Sequence, residues 1–270
     1  MSDEYVWFEG IPFPFVGFSP EHLRDIKENF VLKDEDVLIL TFPKSGTNWL
    51  IEIICLIYSK GGTKWIQSVP IWERSPWLET SKGYKFLKDK EGPRLMTSHL
   101  PIHLFPKSVF KSKAKLIYLL RNPRDVLVSG YFFWTISNLV KKPESLEQYL
   151  DWFIRGNVAF GSWFDHTRGW LSMREKENFL MLSYEELKRL EPDELNSLLE
   201  HSSFQVMKEN KMSNYTLMPS HILDHKSGSF MRKGISGDWK TYFTVAQAEV
   251  FDKVFEENMA DLPQELFPWK

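Results

Sequence analysis

The sequence is poor in cysteine. A single one, Cys55, stands in 270 residues, so no disulfide can form within the chain and a disulfide-stapled secreted fold is excluded. That cysteine lies in "WLIEIICLIY", an apolar helix pattern interrupted by Glu52, and is expected in the core. Long apolar runs are missing too: none approaches the ~18 residues of a membrane span. The opening "MSDEYVWFEG" is acidic and lacks both the basic and the apolar stretch of a secretory signal. Neither sign of charge dominates. With 34 Lys and Arg against 36 Asp and Glu the net charge is −2, so any attraction for anions must be local. No repeat, low-complexity tract or linker divides residues 1–270, which therefore read as one domain. The expected compartment is the reducing cytosol.

A more specific absence lies in "LTFPKSGTNWLIEII", residues 40–54. The stretch begins as a strand, turns through Lys44 and Gly46 and ends as a helix, the shape of a phosphate-binding loop. It lacks the second glycine of G-x-x-x-x-G-K-[ST], which argues against a nucleoside-triphosphate loop with bound Mg²⁺. Lys44 supplies a point charge, Gly46 lets the backbone approach closely, and Ser45, Thr47 and Asn48 can donate. A solvated turn with Thr47 as a simple cap is the plainer alternative.

What is present is a set of continuous apolar runs. "DVLILTF" (36–42), "RLMTS" (94–98), "AKLIYLL" (114–120) and "NFLMLSY" (178–184) read as buried parallel strands. Helical patterns follow in "TNWLIEIICLIY", "DVLVSGYFFW", around 194–200 and over 244–258. Strands alternating with helices imply an α/β fold with a central parallel sheet flanked by helices. Ligands gather at the carboxyl ends of such strands. Those ends carry Lys44, His99, Arg121 and Tyr184, and a lysine, a histidine, an arginine and a tyrosine converging on one edge make a candidate site.

Each group has a plain alternative. In "RNPRDVLVSGYFF" (121–133), Arg121 and Ser129 can grip a second phosphate, or the arginines can be surface ion-pair partners of little energetic value. A neutral imidazole at His99 can take a proton from an attacking alcohol, or be a core histidine bonded to backbone. In "FMRKGISGDWK" (230–240), Arg232 and Lys233 beside Gly234 can close over a phosphate or form a solvated turn. Thr244 and Gln247 stand at capping-box spacing before an amphipathic pattern. The 21 phenylalanines and 11 tryptophans suit a large apolar pocket and a thick aromatic core equally well.

Together these stretches resemble the cytosolic sulfotransferases, most closely the hydroxysteroid and bile-salt branch, over essentially the whole chain. "TFPKSGTNW" is similar to the family's 5′-phosphosulfate loop, "RNPRDVLVSGYFF" to its 3′-phosphate motif, "RKGISGDWK" to its C-terminal nucleotide loop and "KTYFTVAQAE" to its dimerisation motif. The resemblance implies 3′-phosphoadenosine 5′-phosphosulfate (PAPS) as donor, PAP as product nucleotide and no metal. It implies that Lys44, Ser45, Gly46, Thr47, Asn48 and Trp49 hold the 5′ end, with Trp49 near adenine. Arg121, Ser129, Arg232, Lys233 and Gly234 would bind the 3′-phosphate, and Tyr184 and Ser203 the adenine. His99 matches the family's base and Lys44 its transition-state cation. Pro14, Phe18, Trp72, Trp77, Phe133 and Trp134, with His99, would line the acceptor pocket. Lys240, Thr244, Val245 and Glu249 would form a weak two-fold contact. The implied activity is in-line sulfuryl transfer to a hydroxyl of a steroid, bile acid or related alcohol.

One departure stands out. After "LSYEELKR" the family runs through a further helix before "EPDELN", whereas here Arg189 is followed at once by Leu190 and Glu191, a shortfall of roughly 15 residues by comparison with the family. Two other readings therefore stand beside the first: a phenol or simple-alcohol sulfotransferase of the same fold, and a nucleotide- or steroid-binding variant whose transfer is weakened by the missing segment.

Overall fold

The computed structural model describes residues 5–189, 217–228 and 232–269. Its centre is a four-stranded parallel sheet of β3 (Val37–Thr41), β4 (Leu95–Ser98), β5 (Lys115–Leu120) and β6 (Phe179–Ser183), in the order β4-β3-β5-β6. The strands are those expected from the apolar runs, shortened at their ends. Tyr184 is not part of the fourth strand. It opens a helix, Tyr184–Arg189, directly after β6. Ahead of the sheet lies an antiparallel pair, β1 (Val6–Phe8) with β2 (Ile11–Phe13), that the apolar runs did not announce.

The continuous apolar runs are explained by cover on both faces. Leu38, Leu40, Leu116 and Tyr118 join one core with Phe153 and Trp170. Ile39 and Leu119 face a second with Leu50, Ile54, Cys55 and Ile66. Helix α1 (Pro20–Asn29) packs Leu23 and Ile26 into the first core, and α2 (Thr47–Tyr58) supplies much of the second. Glu52, the polar break in the α2 pattern, is buried in a bidentate pair with Arg74 at 2.7 and 2.8 Å. A charge buried without such a partner costs several kcal/mol. The pair anchors the short helix α4 (Ile71–Arg74), which carries Trp72 and follows α3 (Lys64–Ser68), onto α2. The fifth helix, Ser81–Lys88, precedes β4, and α6 (Pro123–Ile136) follows β5 with Asn122 as its N-cap. The chain closes on a helix at Val245–Met259, where the expected capping box of Thr244 and Gln247 is present. The helix expected around 194–200 lies outside the described residues.

Residues 76–78 run beside the β4 edge as one more short rung. Leu78 N–H donates to the Thr97 carbonyl at 2.9 Å, Thr97 N–H donates to that of Pro76 at 3.0 Å, and Trp77 bridges Thr97 in parallel register. This rung brings Trp77 and Glu79 next to His99. It is clamped by Gly83, where an added Cβ would drive into the Trp77 carbonyl oxygen and lie 2.8 Å from Thr80 Oγ1. Because the obstacle is backbone, Gly83→Ala is expected to destabilise the protein by about 1–3 kcal/mol, the usual cost of forced overpacking. The shift in urea midpoint at unchanged slope measures it.

Candidate active site

The loop after β3 is built for close approach. Lys44 takes a left-handed backbone with φ +70°, strained for a side-chain-bearing residue and typical of functional turns. Gly46, at φ +104°, is the N-cap of α2 and makes no side-chain cap bond. It lies directly against Tyr184, whose Cδ2 would be 2.6 Å from an added Cβ. The simple-cap alternative for Thr47 does not hold: Thr47 is the first helical residue, and its hydroxyl meets that of Thr41 at 2.7 Å. The amides at the start of this helix are therefore not consumed by a cap, and the positive end of the helix dipole faces the loop.

A second cation converges on the first. Arg121 leaves β5, is 7% exposed and donates through Nη1 to the Lys44 carbonyl at 2.8 Å and through Nη2 to that of Ile235 at 3.4 Å. Its guanidinium lies 4.3 Å from the centre of the Tyr184 ring, and its Nε is buried without a hydrogen-bond partner. Burial, and secondarily the charge of Arg121, push the Lys44 ammonium down to about 7. Two cations held together in a desolvated place are an anion site by electrostatics alone.

Arg232 and Lys233 reach the same cavity, each paired with the buried Asp238 at 2.6 and 2.9 Å. Asp238 follows Gly237, whose N–H donates to Asp125 at 2.7 Å. Ser129, Gly234, Asn48, Trp49 and Tyr184 also line the cavity. Ser45 does not line it: it is 1% exposed, and its hydroxyl is buried without a partner. Ser203 lies outside the described residues.

The other wall is set by β4. His99 leaves the strand with its backbone N–H donated to Glu79 Oε1 at 2.8 Å. Its Nδ1 lies 2.8 Å from the Thr41 carbonyl oxygen and 3.0 Å from the Thr41 hydroxyl. A carbonyl can only accept, so Nδ1 carries the proton and Nε2 keeps the lone pair. The Trp77 indole N–H donates to that lone pair at 3.0 Å. Burial lowers His99 to about 4, opposed by the Thr41 carbonyl and reinforced by the charge of Lys44, so the ring is neutral at pH 7. Burial likewise raises the Glu79 carboxyl to about 7, against the His99 N–H bond that lowers it.

A single cavity of about 860 Å³ is lined by both the cationic loop and the histidine. Pro14, Phe18, Trp72, Trp77, Phe133 and Trp134 all line it, and Trp134 is also packed into the main core. Lys44 Nζ stands 3.8 Å from the centre of the Phe133 ring, joining the two regions. Sequence reasoning missed Thr41, Glu79, Asp238 and Phe160. Thr41 had a faint signal in closing the first strand; Glu79, which adjoins no expected strand, and Phe160, from a distant turn, had none. Among the described residues, no cluster of three or more His, Cys, Asp or Glu is placed to hold a metal ion. The arrangement can hold a multiply charged anion at the loop, an apolar body among the aromatics, and a hydroxyl group beside a neutral imidazole.

Comparison with known proteins agrees with this geometry. Residues 34–263 match the sulfotransferase domain model. The chain is 63% identical to Sulfotransferase 2A1 of Macaca fascicularis and 62% identical to that of Homo sapiens, covering 100% of both partners in each pair. It is 59% identical to a 3-beta-hydroxysteroid sulfotransferase of Cavia porcellus, over 100% of this chain and 99% of the relative. The macaque alignment runs over 286 positions against the 270 residues of this chain, so at least 16 of them face a gap in this chain. Among solved structures, mouse sulfotransferase SULT7A1 complexed with PAP superposes with a TM-score of 0.74 at 28% identity, covering 97% of this chain and 98% of the other. Fold, cavity and sequence lead to one placement: the chain belongs to the sulfotransferase family.

Proposed function

We propose that this protein transfers a sulfuryl group from PAPS to a hydroxyl of a hydroxysteroid, with bile acids and related alcohols in the same acceptor class. The observation that carries this reading is a neutral imidazole, proton-free at Nε2, lining the cavity that also holds Lys44 and the α2 N-terminus. The residues fit the donor. A buried Arg121 Nε without a partner and the crowding of Arg121 onto the Lys44 loop call for an anionic ligand. The guinea-pig relative is named for 3-beta-hydroxysteroids and the mouse structure was solved with PAP, which supports both halves of the reading. We place the activity in the cytosol, on a single domain.

When bound, the donor supplies the sulfuryl group and a phosphate leaving group. Lys44 and the α2 amides would stabilise the negative charge that grows on the bridging oxygen, and preorganised donors of this kind often contribute most to catalysis. Arg121, Ser129, Arg232, Lys233 and Gly234 would hold the 3′-phosphate, and Trp49 with Tyr184 would hold the base. His99 takes the acceptor's proton at Nε2, while Thr41 keeps the other nitrogen protonated. The aromatic wall excludes water and orients an apolar acceptor.

Radiolabelled PAPS with a panel of steroids, bile acids and phenols tests the reading: transfer to steroid alcohols is expected, and none to any acceptor overturns it. His99→Ala should lower kcat by about 10²–10⁴-fold, the range for a lost general base, with PAP affinity nearly intact. Retention of half the parental kcat removes His99 from the role.

Binding should also be linked to protons. Lys44 sits near 7 in the ligand-free site, and a bound anion raises it, so binding at higher pH must take up a proton. The affinity is therefore full below about pH 7 and falls as pH rises above it. At pH 8.5 phosphomonoesters, with a second pKa of about 6, are fully ionised and do not contribute. Calorimetry at that pH in two buffers of different ionisation heat should show uptake approaching one proton per PAP, absent in Lys44→Arg.

We further propose a weak homodimer through Lys240, Thr244, Val245 and Glu249. The capping box accounts for Thr244 and Gln247, but not for Val245, which is 76% exposed. A two-fold contact sets the same patch against itself, and one this short should bury well under the ~1,200 Å² of a standard interface. Sedimentation velocity at tens of micromolar should find dimers for the parent and monomers for Val245→Glu, with transfer largely kept. A monomeric parent leaves capping as the sufficient account.

A further inference from the structure

A neutral imidazole has one lone pair, and in this structure it is already taken. His99 Nδ1 is committed to the Thr41 carbonyl at 2.8 Å, which leaves Nε2 as the only acceptor on the ring. Trp77 Nε1 donates to it at 3.0 Å. An acceptor hydroxyl cannot give its proton to Nε2 while an indole N–H occupies the same site.

We propose that Trp77 is a displaceable cap on His99: its indole N–H closes the lone pair of Nε2 in the acceptor-free site, and the incoming hydroxyl takes its place. The proposal rests on the sulfuryl-transfer reading for its meaning, though the cap itself is a property of the free protein. The backbone of residue 77 cannot provide the movement. It is pinned by the rung on Thr97 and by the close approach of Gly83. The ring must therefore turn about its own side-chain bonds, into the cavity that it lines. An acceptor held by its apolar body along the rest of that cavity can set its hydroxyl on Nε2 and favour the turned ring, whereas a water molecule has too little contact area to do so.

The cap thus gives selectivity against hydrolysis. With the lone pair free and no acceptor bound, water oxygen could attack the sulfur of PAPS. The sulfur–oxygen bond to the phosphate would break, the proton of water would pass to Nε2, and sulfate and PAP would leave. With Trp77 in place, water finds no base. A merely structural bond, in which the indole satisfies itself on the nearest acceptor, carries no such consequence.

The first test needs no nucleotide. Diethyl pyrocarbonate modifies imidazole through its free lone pair, and peptide mass spectrometry follows His99 against the exposed His221 as internal reference. Trp77→Phe keeps an aromatic wall without the N–H. Its His99 should react several-fold to about tenfold faster than in the parent, the range that a net hydrogen bond supports. Equal rates overturn the cap. Should the variant fail to fold, the unmodified protein decides: adding a steroid alcohol with PAP, a dead-end pair, should shift the Trp77 indole N–H resonance and speed its exchange with solvent. An unmoved resonance with both ligands bound overturns the proposal. Acceptor-independent release of sulfate from PAPS should rise in the folded variant by a similar factor. Failure of PAPS to react with any acceptor in the parent would count against the transfer reading alone, since the reagent assay still reads the cap.

Discussion

The hydrogen bond from His99 Nδ1 to the Thr41 carbonyl joins two strand ends that the sheet has already set side by side, and much of the site depends on it. It decides the tautomer, and with it which nitrogen faces the cavity. It also couples the two halves of the chemistry. Thr41 closes β3 just ahead of the Lys44 turn, and its hydroxyl contacts Thr47 at the head of α2. The parallel pairing of β3 and β4 thus aligns the Lys44 turn with a neutral imidazole. Were the register to slip by one residue, the residues after each strand would face opposite sides of the sheet.

Electrostatics are organised locally within a chain of net charge −2. Lys44 and Arg121 are brought together with little water, which depresses the ammonium of Lys44 and readies the pair for an anion. Arg232 and Lys233 are instead held by Asp238, so the two sets of cations are kept in different states. The buried pairs elsewhere, Glu52 with Arg74 and Asp36 with Arg94, have a structural part. Asp36 and Arg94 close the amino ends of β3 and β4, opposite the cavity, and Glu52 with Arg74 seats the helix that carries Trp72.

The aromatic residues serve both roles open to them. Trp163, Trp170, Phe153 and Phe164 fill the main core, while Trp49, Trp72 and Trp77 line the cavity. Trp134 belongs to both. A pocket wall made partly of core residues is stiff, because its side chains are locked by packing on their far side. Such a wall suits an acceptor with a rigid apolar body. Trp77 differs from the rest in having a polar handle on the proposed base.

By itself, the sequence determined the parallel α/β sheet, its strands and the strand-end positions of Lys44, His99, Arg121 and Tyr184. Those features are local: continuous apolar runs require cover on both faces, and a glycine-containing turn between strand and helix presents amides to an anion. The family motifs were legible for the same reason, each being a short contiguous stretch. Only the tertiary structure decided that Ser45 turns inward while its neighbours line the cavity, that Gly46 rather than Thr47 begins the helix cap, and that Asp238 holds both cations of the C-terminal loop. It alone placed Glu79 on the His99 amide and Trp77 on the His99 lone pair, contacts across 20 and 22 residues of chain. No periodicity or motif encodes such contacts. They arise because a rung beside β4 is held by backbone hydrogen bonds and by the missing side chain of Gly83, and packing of that kind exists only once the chain has folded.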